Sequence, residues 1–130
     1  NAPEPDLNEL LWTIAIARLI FGPTMSVQAP PNLSPGVLPQ IVHAGINDWG
    51  GVSPVTIDYV NPEAPWPTLR SLRQNTEAEG FNLKPRLAVY PEFFMETSNF
   101  FSSVTLDKLE SLVDSEGYLK GGINNYVAQE

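Results

Sequence analysis

The chain has 130 residues, 42% of them hydrophobic, a single-domain length with enough apolar material for a core. Fifteen acidic residues against seven basic ones leave a net charge of −8, which argues against non-specific nucleic-acid binding because there is no basic patch to neutralise phosphates. With no cysteine, the chain cannot itself hold a disulfide, a thiolate zinc site or a thiol-ligated iron–sulfur cluster, and one histidine, His43, does not make a His-rich metal site.

No basic segment leads into an apolar one at the N-terminus, so no secretory signal is expected. The most apolar run, Leu10 to Phe21, is interrupted by Arg18 and falls short of the roughly 20 residues that a bilayer requires. It reads as a buried helix. Asp6 and Glu9 have capping-box spacing at its start, and Gly22-Pro23 stops it. Leu11, Trp12, Ile14, Ile16, Leu19 and Ile20 make it apolar nearly all round, so it is expected to be covered on several sides, with Trp12 in the core.

Met25, Val27 and Ala29 then alternate with Ser26 and Gln28, the period of a strand, which Pro30-Pro31 ends. Ser34-Pro35 opens a short helix through about Ala44, with Ser34 as cap and Gly45 placed for the left-handed closing position. His43 reads as a residue near a helix C-terminus, where a cation is favoured. Ile46 to Trp49 is a second strand. Strand and helix thus alternate at the spacing of parallel βα units with right-handed crossovers.

From Ile46 to Pro67 the chain reads INDWGGVSPVTIDYVNPEAPWP. Prolines at 54, 62, 65 and 67 keep it out of helix, and Gly50-Gly51 allow a sharp turn or a close approach to a bound molecule. Strand, glycine turn, ordered loop and helix describe the ligand-facing rim of an α/β barrel, or equally a proline-stiffened surface loop. A helix is expected from Pro67 to Gly80, then an extended segment over LKPRLAVYPEFF, a helix over Thr105–Glu116 closed by Gly117, and a tail, INNYVAQE, that frays.

Read alone, these residues supply candidates without a mechanism. Asp48 beside Asn47 can orient a substrate or accept a proton, or it can brace a loop. Asp58 and Glu63 can pair for general acid–base work, or be solvated loop charges. Ser53 and Thr56 have no evident base, and WGG lacks the glycine spacing and the lysine of a phosphate loop.

ARLIFGP, SVQAPPNL, HAGINDWGGVSPVTIDYVNPEAPWP and LKPRLAVYPEFF, between about Leu10 and Phe94, closely resemble the C-terminal part of FO synthase, more narrowly its CofG-type radical-SAM half. Ile57 stands where that pattern has proline. The resemblance implies a cytoplasmic enzyme of deazaflavin biosynthesis and an α/β fold, specifically the C-terminal βα units of a radical-SAM (β/α) barrel. In that family a CxxxCxxC loop holds a [4Fe–4S] cluster whose open iron binds S-adenosylmethionine. The resulting 5′-deoxyadenosyl radical acts on an adduct supplied by a CofH-type partner. This chain lacks those cysteines, and a full barrel takes about 250 residues.

The resemblance therefore implies a partial barrel, with late βα units over 1–94 and a helical extension over 95–130. Gln28, Asn32, Asn47, Asp48, Gly50 and Gly51 would line the pocket for substrate and S-adenosylmethionine. Neither cofactor is expected to be bound by this chain alone. Its partner would be the N-terminal barrel half, with self-association through bare strand edges, and neither nucleic acid nor membrane is expected as a partner. The alternatives are a non-catalytic remnant or binding module, and an acid-dependent hydrolase with close carboxylates at the strand ends.

Overall fold

The structure is a computed structural model and describes residues 5–53, 55–96 and 101–122. It divides into two compact units, residues 1–81 and residues 82–130. The fold is mixed, with helices in both units and a small two-stranded parallel sheet in the first, in keeping with an α/β class.

In the first unit, helix α1 spans Leu7–Phe21. Its start is the expected capping box: Asp6 accepts from the Glu9 backbone at 2.9 Å, and the Glu9 carboxylate accepts from the Asp6 backbone at 3.0 Å. Gly22, at φ +80°, ends it. Strand β1 is Gln28–Ala29, and a 3-10 turn follows over Pro31–Leu33. Helix α2 spans Leu38–Ala44 and strand β2 is Asp48–Trp49. Helix α3, Leu69–Ala78, starts at Thr68, whose hydroxyl accepts from the Ser71 backbone at 3.1 Å. It ends before Gly80, which is left-handed at φ +85°.

The strands pair in parallel with Gln28 opposite Asp48 and Ala29 opposite Trp49. Bonds from the Asn47 amide to the Val27 carbonyl (3.1 Å) and from Gly50 to Ala29 (3.0 Å) lengthen the ladder by one residue at each end. The sheet-facing core gathers Ile14 from α1, Ala29 from β1, Ile41 and Val42 from α2, and Ile46 ahead of β2. Helix α1 packs on α2 and α2 on α3. Ile41, with no exposed surface, and Leu72, 1% exposed, are each worth about 2–5 kcal/mol by the usual cost of truncating a buried aliphatic chain to alanine.

Several elements differ from the sequence reading. Strand β1 is shorter than Met25–Ala29 because the Met25 carbonyl is bonded to Arg18 instead of joining the ladder. Helix α2 starts at Leu38 and not at Ser34, because Gly36 takes φ +81° and breaks the turn; Ser34 closes the 3-10 segment. Helix α1 is not covered all round: only Ile14 is buried, and Trp12 is 67% exposed. A second apolar face turns the expected core tryptophan outward.

In the second unit, residues 83–90 form no strand, and the expected extended segment ends in helix α4, Pro91–Glu96, with proline in the first turn where its missing N–H costs nothing. Helix α5 is Ser103–Leu112, capped by Ser102. It stops short of Glu116 because Val113 turns extended and bridges Leu119 across a tight turn, so Gly117 closes that turn and not the helix. The expected tail, 123–130, lies outside the described residues.

Arg18, which interrupts the apolar run of α1, joins the parts of the first unit. Its Nε donates to the Gly45 carbonyl at 2.7 Å, and its Nη1 to the carbonyls of Gly22 (2.6 Å) and Met25 (2.8 Å). Charged donors to backbone acceptors are each worth more than neutral ones, so Arg18→Met is expected to lower unfolding stability by about 2–3 kcal/mol in urea titration. Arg18→Lys should recover only part of it, because one ammonium cannot reproduce the planar fork.

Candidate functional site at the strand ends

Successive strand residues point to opposite faces of a sheet. Ala29 is 5% exposed in the core and Trp49 packs on the same cluster, so this pair faces the helices. Trp49 is further tied to α3, its indole N–H donating to the Thr76 hydroxyl at 3.1 Å, while that hydroxyl donates to the Leu72 carbonyl at 2.8 Å. Gln28 and Asp48, one residue earlier on each strand, lie on the other face. The Gln28 amide nitrogen donates to the Asp48 carboxylate at 2.5 Å.

The two glycines after β2 are explained by neighbouring side chains. A Cβ on Gly50 would lie 2.4 Å from Cδ and 2.6 Å from Cγ of Gln28. The Gln28 side chain occupies that room. Gly51 is left-handed, φ +70°, and a Cβ there would meet the Trp66 ring at 3.1 Å. Trp66 comes from the far end of the proline-rich loop, so the loop folds back on the turn that starts it.

Asn32, 3% exposed, holds the middle of that loop. Its amide nitrogen donates to the Asp58 carboxylate and to the Ala64 carbonyl, both at 3.0 Å, and its Oδ1 is buried without a partner among the described residues. Asp58 also accepts from the Asn61 side chain (3.1 Å) and from the backbone amides of Val60 (2.9 Å) and Asn61 (3.1 Å). Donation by the Asn61 amide, helped by these other donors, holds the Asp58 carboxyl down at about 2. Its oxygens are spent on the loop and Glu63 is exposed, which makes Asp58 a brace and not half of an acid–base pair.

Asn47 works within the ladder: its Oδ1 accepts from the Val27 amide at 2.8 Å while its own amide donates to the Val27 carbonyl. Ser53 closes a local turn, accepting from the backbone and the hydroxyl of Thr56 (3.1 and 2.8 Å). His43 sits in the last turn of α2, paired with Glu79 at 2.7 Å and edge-on to Phe81. Of the six candidates, then, Gln28, Asp48 and Gly50 meet directly and Gly51 follows; Asn32 serves the 58–64 loop, and Asn47 serves β1.

The sequence reading did not single out Trp66, Asn61 or Thr76, and it took Arg18 only as an interruption. A lone cation in an otherwise apolar helix is a signal for a buried partner, and an Asp three residues before an Asn-Pro is a signal for a side-chain-braced turn. Chemically, the Gln28–Asp48 pair offers a carboxylate and an amide to the hydroxyl or amino groups of a small polar molecule. Among the described residues there is no group of three or more His, Asp or Glu placed to hold a metal ion. No described helix is long and apolar enough to cross a membrane.

Two outcomes check this geometry. Gly50→Ala is expected to cost about 1–2 kcal/mol by overpacking against Gln28, and most of that cost should vanish in a Gln28→Ala background. A cycle showing purely additive losses contradicts the contact. For Asp58, the folded value near 2 lies below the ordinary 3.8, so its stabilising contribution is complete above pH 3.8 and is lost as pH falls toward 2. Urea midpoints measured across that window should fall more steeply for the wild-type chain than for Asp58→Asn.

The chain is 46% identical over 112 residues to FO synthase of Streptomyces avermitilis, which is 86% of this chain and 13% of that protein. It is 48% identical over 118 residues to 7,8-didemethyl-8-hydroxy-5-deazariboflavin synthase of Methanopyrus kandleri, covering 91% of this chain and 34% of the relative. FO synthase of Nocardia farcinica is 52% identical over 94 residues, 72% of this chain and 11% of its own length. The chain thus spans between about a tenth and a third of the relatives it matches, and the matched region is common to long and short ones. No family model and no solved structure matches. By sequence the chain is similar to one part of proteins named FO synthase and 7,8-didemethyl-8-hydroxy-5-deazariboflavin synthase, at 43–48% identity over most of its own length.

Proposed function

We propose that the chain is the C-terminal portion of a CofG-type radical-SAM FO synthase, forming late βα units of its barrel over 1–94 and a helical extension over 95–130. Its role is to supply a sector of the wall that faces substrate and S-adenosylmethionine. The observation that carries this reading is sidedness. Two parallel strands joined through α2 turn Ala29 and Trp49 to the helices and Gln28 and Asp48 to the other face, next to the strand ends. In a (β/α) barrel that other face is the interior, and active sites sit at the carboxyl ends of the strands.

The residues of this chain do not fit a [4Fe–4S] cluster: there is no cysteine, and no alternative ligand group exists among the described residues. The cluster therefore belongs to the N-terminal barrel half, this chain's partner in the cytoplasm, and no step through it is derived. Gln28 and Asp48 do suit the binding of amino or hydroxyl groups. Gln28 is oriented by Asp48, the carboxylate accepts hydrogen bonds, and the Trp66 ring packs against the turn at Gly51. Isolated, the two strands leave outer edges that favour self-association.

A second reading, a non-catalytic remnant that retains the fold, is favoured by one observation: the room left by Gly50 and Gly51 is filled by Gln28 and Trp66 of the chain itself. Reconstitution separates the two. Alone, with iron, sulfide and S-adenosylmethionine, the chain should give neither cluster absorbance nor 5′-deoxyadenosine. Co-expressed with a cysteine-bearing N-terminal segment of an FO synthase it should restore deazaflavin fluorescence, and Asp48→Asn should reduce that rate roughly 10- to 100-fold through lost positioning. Association without any fluorescence would favour the remnant.

A further inference from the structure

Helix α1 has two apolar faces, and among the described residues only one packs against the core. At 100° per residue, Leu10 and Ile14 share the face turned to the core, while Trp12, Ile16, Leu19 and Ile20 fall within about one third of the circumference on the other side. On that outer face Trp12 is 67% exposed, Leu19 78% and Ile20 71%. A surface helix of a globular protein ordinarily carries polar residues there. A run of three large side chains this exposed marks a contact surface and not a scatter of surface hydrophobes.

The order of elements says what belongs on it. Helix α2 connects β1 to β2, lies against α1 and takes up one flank of it. Within the described residues β1 has β2 as its sheet neighbour and nothing on its other edge. In a ring of βα units each helix touches the helix before it and the helix after it, so the place beside α1 away from α2 is that of the preceding unit's helix. The Streptomyces avermitilis and Methanopyrus kandleri relatives carry 87% and 66% of their length outside the matched region, which is ample polypeptide to provide one.

We infer that the Trp12–Ile16–Leu19–Ile20 stripe is the seat of a helix from the N-terminal barrel half, apolar on the side that meets α1. The inference rests on the reading of the chain as a barrel portion and names the surface by which that portion is held. It makes the helix ring, and not the strand edges alone, the determinant of assembly.

The test uses the full 130-residue chain co-expressed with the cysteine-bearing N-terminal segment, carrying either Trp12→Glu with Leu19→Glu or, as a control on another exposed apolar position, Val60→Glu. Trp12 and Leu19 are exposed, so the double variant should keep the circular dichroism and urea midpoint of the parent while co-purification of the segment falls at least about tenfold, as for central interface residues. The control should co-purify as the wild type does. Undiminished co-purification of the folded double variant overturns the seat and leaves the enzyme reading standing. A wild-type dimer that the double variant splits, with capture of the segment unchanged, assigns the stripe to a second copy and also overturns it. If the wild-type chain captures no segment at all, both the seat and the enzyme reading fail.

Discussion

The guanidinium of Arg18 donates to the carbonyls of Gly22, Met25 and Gly45, and so joins the end of α1, the approach to β1 and the end of α2. Both helix ends carry partial negative charge from unpaired carbonyls, which a cation between them offsets. The fit is tight on the glycine side. A Cβ on Gly45 would lie 2.9 Å from Cβ and Cγ of Arg18, and Gly45 is also left-handed at φ +117°. Met25 and Gly45 each lie three residues before the paired residues Gln28 and Asp48, so this one side chain ties the approaches to both strands together in the register at which they pair.

That register decides the rest of the first unit. A slip of one residue in either strand would flip that strand's faces, bringing Gln28 or Asp48 to the core and Ala29 or Trp49 to the other side. With the register as it is, Trp49 reaches Thr76 on α3, and Gln28 lies across Gly50 onto Asp48. The proline-rich loop is then held at two points, by Asn32 through Asp58 and Ala64, and by Trp66 against Gly51. Its order comes from these braces, since it has no regular hydrogen-bond ladder of its own.

What could be read in the residues beforehand was largely what is encoded locally. The capping box at Asp6 and Glu9, the stop at Gly22, the left-handed Gly45 and the closure of α3 before Gly80 all depend on neighbours within four positions, and they stand as expected. The parallel βα alternation was legible for the same reason. Features that depend on distant partners were not. Met25 is drawn off its strand by Arg18, and Gly36 displaces the start of α2. Trp12 looked like core because an apolar helix says how much of it wants covering, without saying what covers it. At the site, Gln28 and Asp48 were grouped by the family resemblance alone, and the pairing that sets them opposite each other is a contact between strands 20 residues apart. The filling of the two glycines by Gln28 and Trp66 depends on a contact across 15 residues and on one across 22, and no spacing rule announces those.

The three tryptophans stand in different surroundings: Trp12 faces water, Trp49 is part-buried with its indole N–H bonded to Thr76, and Trp66 rests on the backbone of Gly51. Their emission should separate accordingly, with a red-shifted component open to acrylamide from Trp12 and a bluer, shielded one from Trp49. The protein thereby carries its own pair of optical reporters. Melting of the core would expose the shielded component to quencher, whereas covering the outer face of α1 would protect the open one and leave the other unchanged.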